Sequence, residues 1–136
     1  MASYMLDTNA IIDLRQRRSP RMTARFGSLA VGEAVMSVVT YGELRIGAEK
    51  SGDPRARLAT LDAMRAIVSV RELPVTAGET YGEVRAYLER RGELIGPNDL
   101  WIAAHARSSG LTLVTSNERE FRRVPGLVVE KWAAAA

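Results

Sequence analysis

The sequence predicts one α/β domain built on a mostly parallel sheet of about five strands. Three observations carry that expectation. Short runs rich in β-branched and apolar residues, such as "EAVMSVVT" and "LTLVTS", alternate with longer segments of helical periodicity. These runs are mostly apolar, as strands buried on both faces of a parallel sheet are. A chain of 136 residues suits one compact domain with a single substantial core.

Ser3–Leu6 reads as the first strand and Asn9–Arg17 as a helix with Ile11, Ile12 and Leu14 on its apolar side. Ser19-Pro20, a cap followed by proline at the first helical position, opens a second helix to about Leu29. The segment from Glu33 to Thr40 is the second strand; from Thr40 the chain turns helical and stops near Gly52. Asp53-Pro54 repeats the cap-then-proline signal, and Leu58, Leu61, Met64 and Ile67 give that helix an apolar stripe. "SVREL" is a third strand, Thr76–Arg91 an amphipathic helix ended by Gly92, and Pro97-Asn98 opens a helix that Gly110 ends. "LTLVTS" is the fourth strand, "NEREF" a helical turn and "LVVEKW" the fifth strand. Residues 1–132 form the domain; 133–136, the end of "WAAAA", read as a disordered tail or cloning remnant.

Hydrophobic residues make up 46% and charged residues 26%, an ordinary soluble composition. No run of about 18 apolar residues and no cleavable leader are evident, so neither a membrane span nor secretion is expected. The absence of cysteine excludes disulfides, thiolate catalysis and cysteine-ligated zinc, and fits a reducing cytoplasm. A net charge of +3 is a mild basic bias, compatible with a polyanionic partner.

In open α/β sheets, ligands bind outside the carboxyl ends of the strands. Asp7 stands at the end of the first strand, Glu43 about one turn after the second, and Asp99 at the start of the helix leading into the fourth. Beyond that strand come Thr115, Ser116, Asn117 and Glu118. Taken singly, each has a plain structural explanation. Asp7, Thr8 and Asn9 are good helix caps, Glu43 in a first helical turn opposes the helix dipole, and Asp99 does the same. Taken together, three carboxylates on one sheet edge raise one another's pKa unless a cation neutralises them. With oxygen donors, no Cys and one His, the cation is a hard one, Mg²⁺ or Mn²⁺ as a substitute. Such a site activates water and polarises a phosphoryl oxygen, the chemistry of phosphodiester hydrolysis.

The stretches "MLDTNAIIDL", "SVVTYGELRIGA" and "IGPNDLWIAAHARSSGLTLVTSNEREFRRVPGLVVEKW" resemble the PIN-domain ribonucleases, specifically the VapC-type toxins of bacterial toxin–antitoxin pairs. The resemblance spans nearly the whole chain and implies a three-layer α/β/α domain. It implies that Asp7 and Asp99 are principal Mg²⁺ ligands and that Glu43 completes the triad and helps position the attacking water. Thr8 and Asn9 would support the first loop, and Thr115 and Asn117 would line the far side of the pocket. The fullest PIN pattern often has a fourth aspartate; here Asn117 stands nearest that place, with Glu118 adjoining, which leaves one or two metal ions open. The resemblance also implies cleavage of structured RNA of the tRNA or rRNA class, neutralisation by a cognate antitoxin wrapping the helices between Pro20 and Val68, and a homodimer, in some states joined with the antitoxin in a hetero-oligomer.

Arg15 and Arg119 flank the site-forming loops and are the candidate phosphate contacts among many surface arginines. His105 lies six residues after Asp99 on the same helix, turned from the acidic edge, and reads as structural. Trp101 and Tyr41 read first as packing residues. Two rival readings stand beside the nuclease. A haloacid-dehalogenase-like phosphatase wants an aspartate where Asn9 stands. A catalytically silent, metal-stiffened module that binds RNA or protein is favoured only by Asn117 in place of an acid.

Overall fold

The computed structural model describes residues 1–133; the remainder of the expected tail, residues 134–136, lies outside the described residues. In chain order the elements are β1 (Tyr4–Leu6), α1 (Thr8–Arg15), α2 (Pro20–Gly27), β2 (Ala34–Ser37), α3 (Val38–Glu49) and α4 (Pro54–Ile67). There follow β3 (Ser69–Arg71), α5 (Val75–Arg90), α6 (Pro97–Ser108), β4 (Thr112–Val114), α7 (Glu118–Phe121) and β5 (Val129–Glu130). The strands form one sheet in the order β3-β2-β1-β4-β5, and every pairing is parallel. The chain winds outward from β1 to β3, then returns to the other side of β1 with β4. The topological switch point therefore lies between β1 and β4.

Strand periodicity divides the core into two layers. Leu6, Met36 and Val114 face one side and pack with Ile11 and Leu14 of α1, Met22 of α2, Leu44 of α3 and Leu61 and Met64 of α4. Met5, Val35 and Leu113 face the other, against Val84 and Leu88 of α5, Leu100, Ile102 and Ala103 of α6, and Phe121 of α7. The result is the three-layer α/β/α arrangement. Ala133 packs against the first of these clusters. Among the described residues no helix is long and apolar enough to cross a membrane.

The punctuation signals act as the sequence predicts. The Ser19 hydroxyl accepts from the Met22 N–H at 3.2 Å and Asp53 accepts from Ala56 at 3.2 Å, each followed by a proline in the first turn. Gly92 and Gly110 end α5 and α6 at φ of 65° and 69°, left-handed conformations that glycine adopts without penalty. Several boundaries shift by a few residues, and two of the shifts matter for the site. Helix α1 begins at Thr8 and ends at Arg15, and the Arg17 and Arg18 N–H groups close it on the Leu14 and Asp13 carbonyls. Strand β2 stops at Ser37, and Val38, Val39 and Thr40, expected in the strand, belong to α3. The Ser37 hydroxyl accepts from the Val39 N–H at 3.1 Å, so a cap overrides β-branched strand propensity.

Tyr81 and Trp101 stack between α5 and α6, with ring centroids 3.9 Å apart and planes at 14°. Tyr41 lies under the Arg65 guanidinium of α4, 4.7 Å from ring centroid to charge. Both are packing residues, as first read.

Leu113 is fully buried at the middle of β4, whereas Val70 on edge strand β3 is only partly buried. Denaturant unfolding is expected to show Leu113→Ala costing about 2–5 kcal/mol, with Val70→Ala costing clearly less. Equal costs would contradict this layering.

Candidate active site

The site is built where β1 and β4 end. Leu6 pairs with Val114, so the next residues, Asp7 and Thr115, leave adjacent parallel strands side by side at the switch point. Asp7 is 2% exposed and Thr115 1%. The Thr115 hydroxyl donates to Asp7 Oδ2 at 2.5 Å, and the Asn117 N–H donates to Thr115 Oγ at 2.9 Å. On its other oxygen, Asp7 Oδ1 accepts from the Ala10 N–H at 2.8 Å and so caps α1. One buried carboxylate is thus fixed by a helix start and by the loop that follows β4.

The neighbouring acids arrive on α3 and α6. The Thr8 hydroxyl donates to Glu43 Oε1 at 2.5 Å, and the Asn98 amide approaches Glu43 Oε2 at 3.4 Å. Because α3 starts at Val38, Glu43 sits in its second turn, not the first, and the expected helix-dipole role does not apply. Asp99 lies in the first turn of α6, half-buried, with Glu43 and Glu120 as its charged neighbours. Burial chiefly, then repulsion from Glu43 and Glu120, raises the Asp99 pKa above the ordinary carboxylate value. Asp7 is pushed from 3.8 up to about 6, again mainly by burial, with Asp99 and Asp13 adding repulsion and the hydrogen bonds from Thr115 and Ala10 opposing it.

The fold therefore brings Asp7, Thr8, Glu43, Asp99, Thr115 and Asn117 to one edge. The other candidates lie apart. Asn9 is exposed, and Glu118 is turned to Arg122, 2.8 Å away across one turn of α7. Arg119 is exposed on α7; Arg15 is half-buried near Arg18 and Arg57 and lines a groove with Phe26, Thr60 and Met64. Sequence reasoning missed three residues. Asn98, read only as part of a helix start, reaches Glu43. Glu120, two residues beyond Glu118, is the α7 acid that faces Asp99. Buried Thr40, taken as a strand end, has its hydroxyl 3.4 Å from that of Thr8. Only pairing across 32 or more residues reveals the Thr8 and Asn98 contacts.

Among the described residues no three acidic or histidine side chains close into a ready-made cation cage. The donor set nonetheless fits Mg²⁺ or Mn²⁺. It is all oxygen, it includes a carboxylate whose ionisation burial opposes, and Mg²⁺ needs only one or two direct carboxylates because it keeps several waters. Asp7 and Asp99 are the residues that would hold such an ion, with Glu43 the charged neighbour of Asp99.

A small parallel α/β domain with acids gathered at its switch point is the form of a metal-assisted nuclease site. The PIN domain model matches residues 4–127, and the chain belongs to the PIN-domain family, among its VapC-type ribonucleases. It is 41% identical over 132 residues to Ribonuclease VapC2 of Haemophilus influenzae, covering 97% of this chain and 99% of that one. It is also 41% identical over 133 residues to the tRNA(fMet)-specific endonuclease VapC of Shigella flexneri, covering 98% and 100%. The crystal structure of DNA-bound VapBC from Salmonella typhimurium superposes with a TM-score of 0.92 at 38% identity, over 98% of this chain and 100% of that one.

The raised Asp7 pKa sets a pH dependence for the metal-free protein. A carboxyl whose folded pKa lies above its unfolded value stabilises fully below about 3.8 and loses that contribution as pH rises through about 6. Asparagine keeps the cap to Ala10 without the charge. Asp7→Asn should then match the parent chain near pH 4 and exceed it at pH 7 by as much as about 3 kcal/mol in chelator. Urea titrations at the two pH values test this, and a difference independent of pH would refute it.

Proposed function

We propose that this protein is a Mg²⁺-dependent endoribonuclease toxin acting on structured RNA and held inactive by a cognate antitoxin. The observation that carries the reading is the fixed Asp7 carboxylate at the β1/β4 switch point, with Asp99 and Glu43 as its acidic surroundings. Burying an anion there is unfavourable by itself and becomes favourable when a cation shares the site.

When bound, Mg²⁺ or Mn²⁺ supplies charge neutralisation at the scissile phosphate and an acidified water. The protein supplies placement. Asp7, locked by Thr115 and Ala10, and Asp99, in the first turn of α6, would hold the ion. Glu43, oriented by Thr8 and Asn98, takes up the proton of the attacking water or orders that water through a hydrogen bond. Asn117 fixes Thr115 through its backbone N–H, and Glu120 adds a further acid near Asp99. Arg119, exposed on α7, is a contact for the RNA backbone, and Arg15, half-buried beside Arg18 and Arg57, is a second.

The Shigella relative is named for tRNA(fMet), which supports tRNA as the first substrate class to test and rRNA as the second. The VapBC structures support an antitoxin as partner. Its docking place is the apolar groove between α2 and α4, a cavity of about 230 Å³ lined by Phe26, Leu29, Val31 and Ile67. Val31 is 96% exposed and Ile67 53%, so apolar surface is left for a partner to cover. The same reading carries a homodimer, which sedimentation of the purified chain tests.

RNA cleavage with Mg²⁺, with Mn²⁺ and with chelator is the deciding experiment. Activity should require the metal and fall below detection in Asp7→Asn and Asp99→Asn variants that remain folded. Undiminished cleavage in either would remove the site assignment, and metal-dependent binding of RNA without turnover would favour a silent binding module. Thr115→Val should lose about 10- to 100-fold in rate, and Thr115→Ser should retain most of it.

The partner assignment has its own test. Ile67→Asp should abolish co-purification with the co-expressed antitoxin while leaving RNA cleavage by the free protein unchanged. Retained co-purification would move the interface elsewhere.

A further inference from the structure

The acidic site uses α3 and α6 only near Glu43 and Asp99, yet the same two elements are tied at a second point. His105 of α6 is 2% exposed and Ser37, the cap of α3, is fully buried. His105 Nδ1 and Ser37 Oγ lie 2.8 Å apart. The ring also hydrogen-bonds the backbone of Glu72, just beyond β3. Burial first, and then the Arg71 charge, holds the imidazole below its ordinary pKa, so the neutral form is the resident one. In that form one ring nitrogen accepts from the Ser37 hydroxyl and the other donates to the Glu72 carbonyl. The Ser37 oxygen meanwhile accepts from the Val39 N–H. Every polar atom of the pair is satisfied, in keeping with the absence of unpartnered buried side-chain polar atoms among the described residues.

The numbering of the two contacts carries the inference. Glu43 is six residues beyond Ser37 on α3, and Asp99 is six residues before His105 on α6. The two elements run in opposite directions, so a single antiparallel offset satisfies both contacts: Ser37 with His105 at one end, and Glu43 with Asn98 and Asp99 at the other. Between the two contacts α6 buries the apolar side chains of Leu100, Ile102, Ala103 and Ala104. Leu100 and Ile102 belong to the cluster shared with α5 and the sheet, and Ala103 and Ala104 are small and interchangeable. Apolar contacts are non-directional, whereas a buried hydrogen-bonded pair is satisfied at one register only.

We infer that the His105–Ser37 hydrogen bond is a register lock that fixes α6 against the start of α3 and thereby sets the separation of Asp99 from Glu43. His105 is on this view a positioning residue for the acidic site, acting from the far end of the helix. The inference rests on the metal-site reading above and deepens it: the affinity of the site for its cation depends on a residue that touches no ligand.

The test is made on the full chain with Mn²⁺ as probe, its binding followed by electron paramagnetic resonance, and with Mg²⁺-dependent RNA cleavage measured in parallel. His105→Leu is expected to weaken Mn²⁺ binding about tenfold or more and to raise the Mg²⁺ needed for half-maximal cleavage by the same factor, with the KM for RNA unchanged. His105→Asn places an acceptor near the Nδ1 position and is expected to recover most of the loss. If His105→Leu fails to fold, Ser37→Ala, which leaves the ring in place, must show the weakened Mn²⁺ binding instead. A folded His105→Leu that binds Mn²⁺ like the parent chain overturns the inference, as does a His105→Asn no better than His105→Leu. A parent chain that binds Mn²⁺ but cuts no RNA defeats the nuclease reading alone, and the affinity comparison still decides the register lock. A parent chain that binds no Mn²⁺ overturns both.

Discussion

The constraint on which the rest of the structure depends is the burial of one carboxylate between two strand ends. Asp7 joins β1 to α1 by capping the helix, and joins β1 to the loop after β4 through the Thr115 hydroxyl. Both bonds stabilise the ionised form, yet burial outweighs them and the carboxyl is pushed up to about 6. A group held this way is neither comfortably charged nor free to move. Its environment is completed by a proton or a cation, and at neutral pH protons are scarce.

Sheet order explains how the other acids come close without any of them being near Asp7 in sequence. With β4 inserted beside β1, the helix that feeds β4 must begin at the carboxyl edge, which puts the first turn of α6 and Asp99 there. Helix α3 leaves the neighbouring strand β2 at the same edge and carries Glu43 along it. Acids alone would repel an RNA phosphate. The chain nevertheless carries a net charge of +3, with arginines over the surrounding helices, so the long-range field is mildly attractive while the local site is anionic. The proposed cation at the centre would reconcile the two scales, since it would neutralise the acids and give the phosphate an opposite charge to approach.

Much of this was legible in the sequence. The caps at Ser19 and Asp53, the helix ends at Gly92 and Gly110, and the alternation of strands with helices all act locally, and local chemistry is what a sequence displays. The β2/α3 boundary was not. "SVVT" has strong strand propensity, but the Ser37 cap and the packing of α3 draw Val38 to Thr40 into a helix, which puts Glu43 in the second turn instead of the first. The choice of Glu120 over Glu118 as the neighbour of Asp99 was equally hidden. It depends on the rotation of a four-residue helix whose Glu118 is engaged by Arg122. The Thr115–Asp7 bond spans 108 residues and follows only from β4 lying beside β1. Thr115 was placed in the pocket by resemblance, but its bond to Asp7 could not be.

The cap and ligand readings of Asp7, set against each other when the sequence is read residue by residue, are compatible: the structure shows the cap, and the cap leaves room for the proposed ligand. An ionised carboxylate has about four lone-pair positions. The cap to Ala10 takes one and the Thr115 hydroxyl another, which leaves acceptor capacity while removing rotational freedom. A ligand already immobilised by two hydrogen bonds loses little further entropy on taking up an ion, and that is what preorganisation means at a metal site. The plain structural role is therefore part of the site's chemistry. Helix capping supplies the rigidity, burial supplies the unmet charge, and Asp99 and Glu43 supply the remaining field.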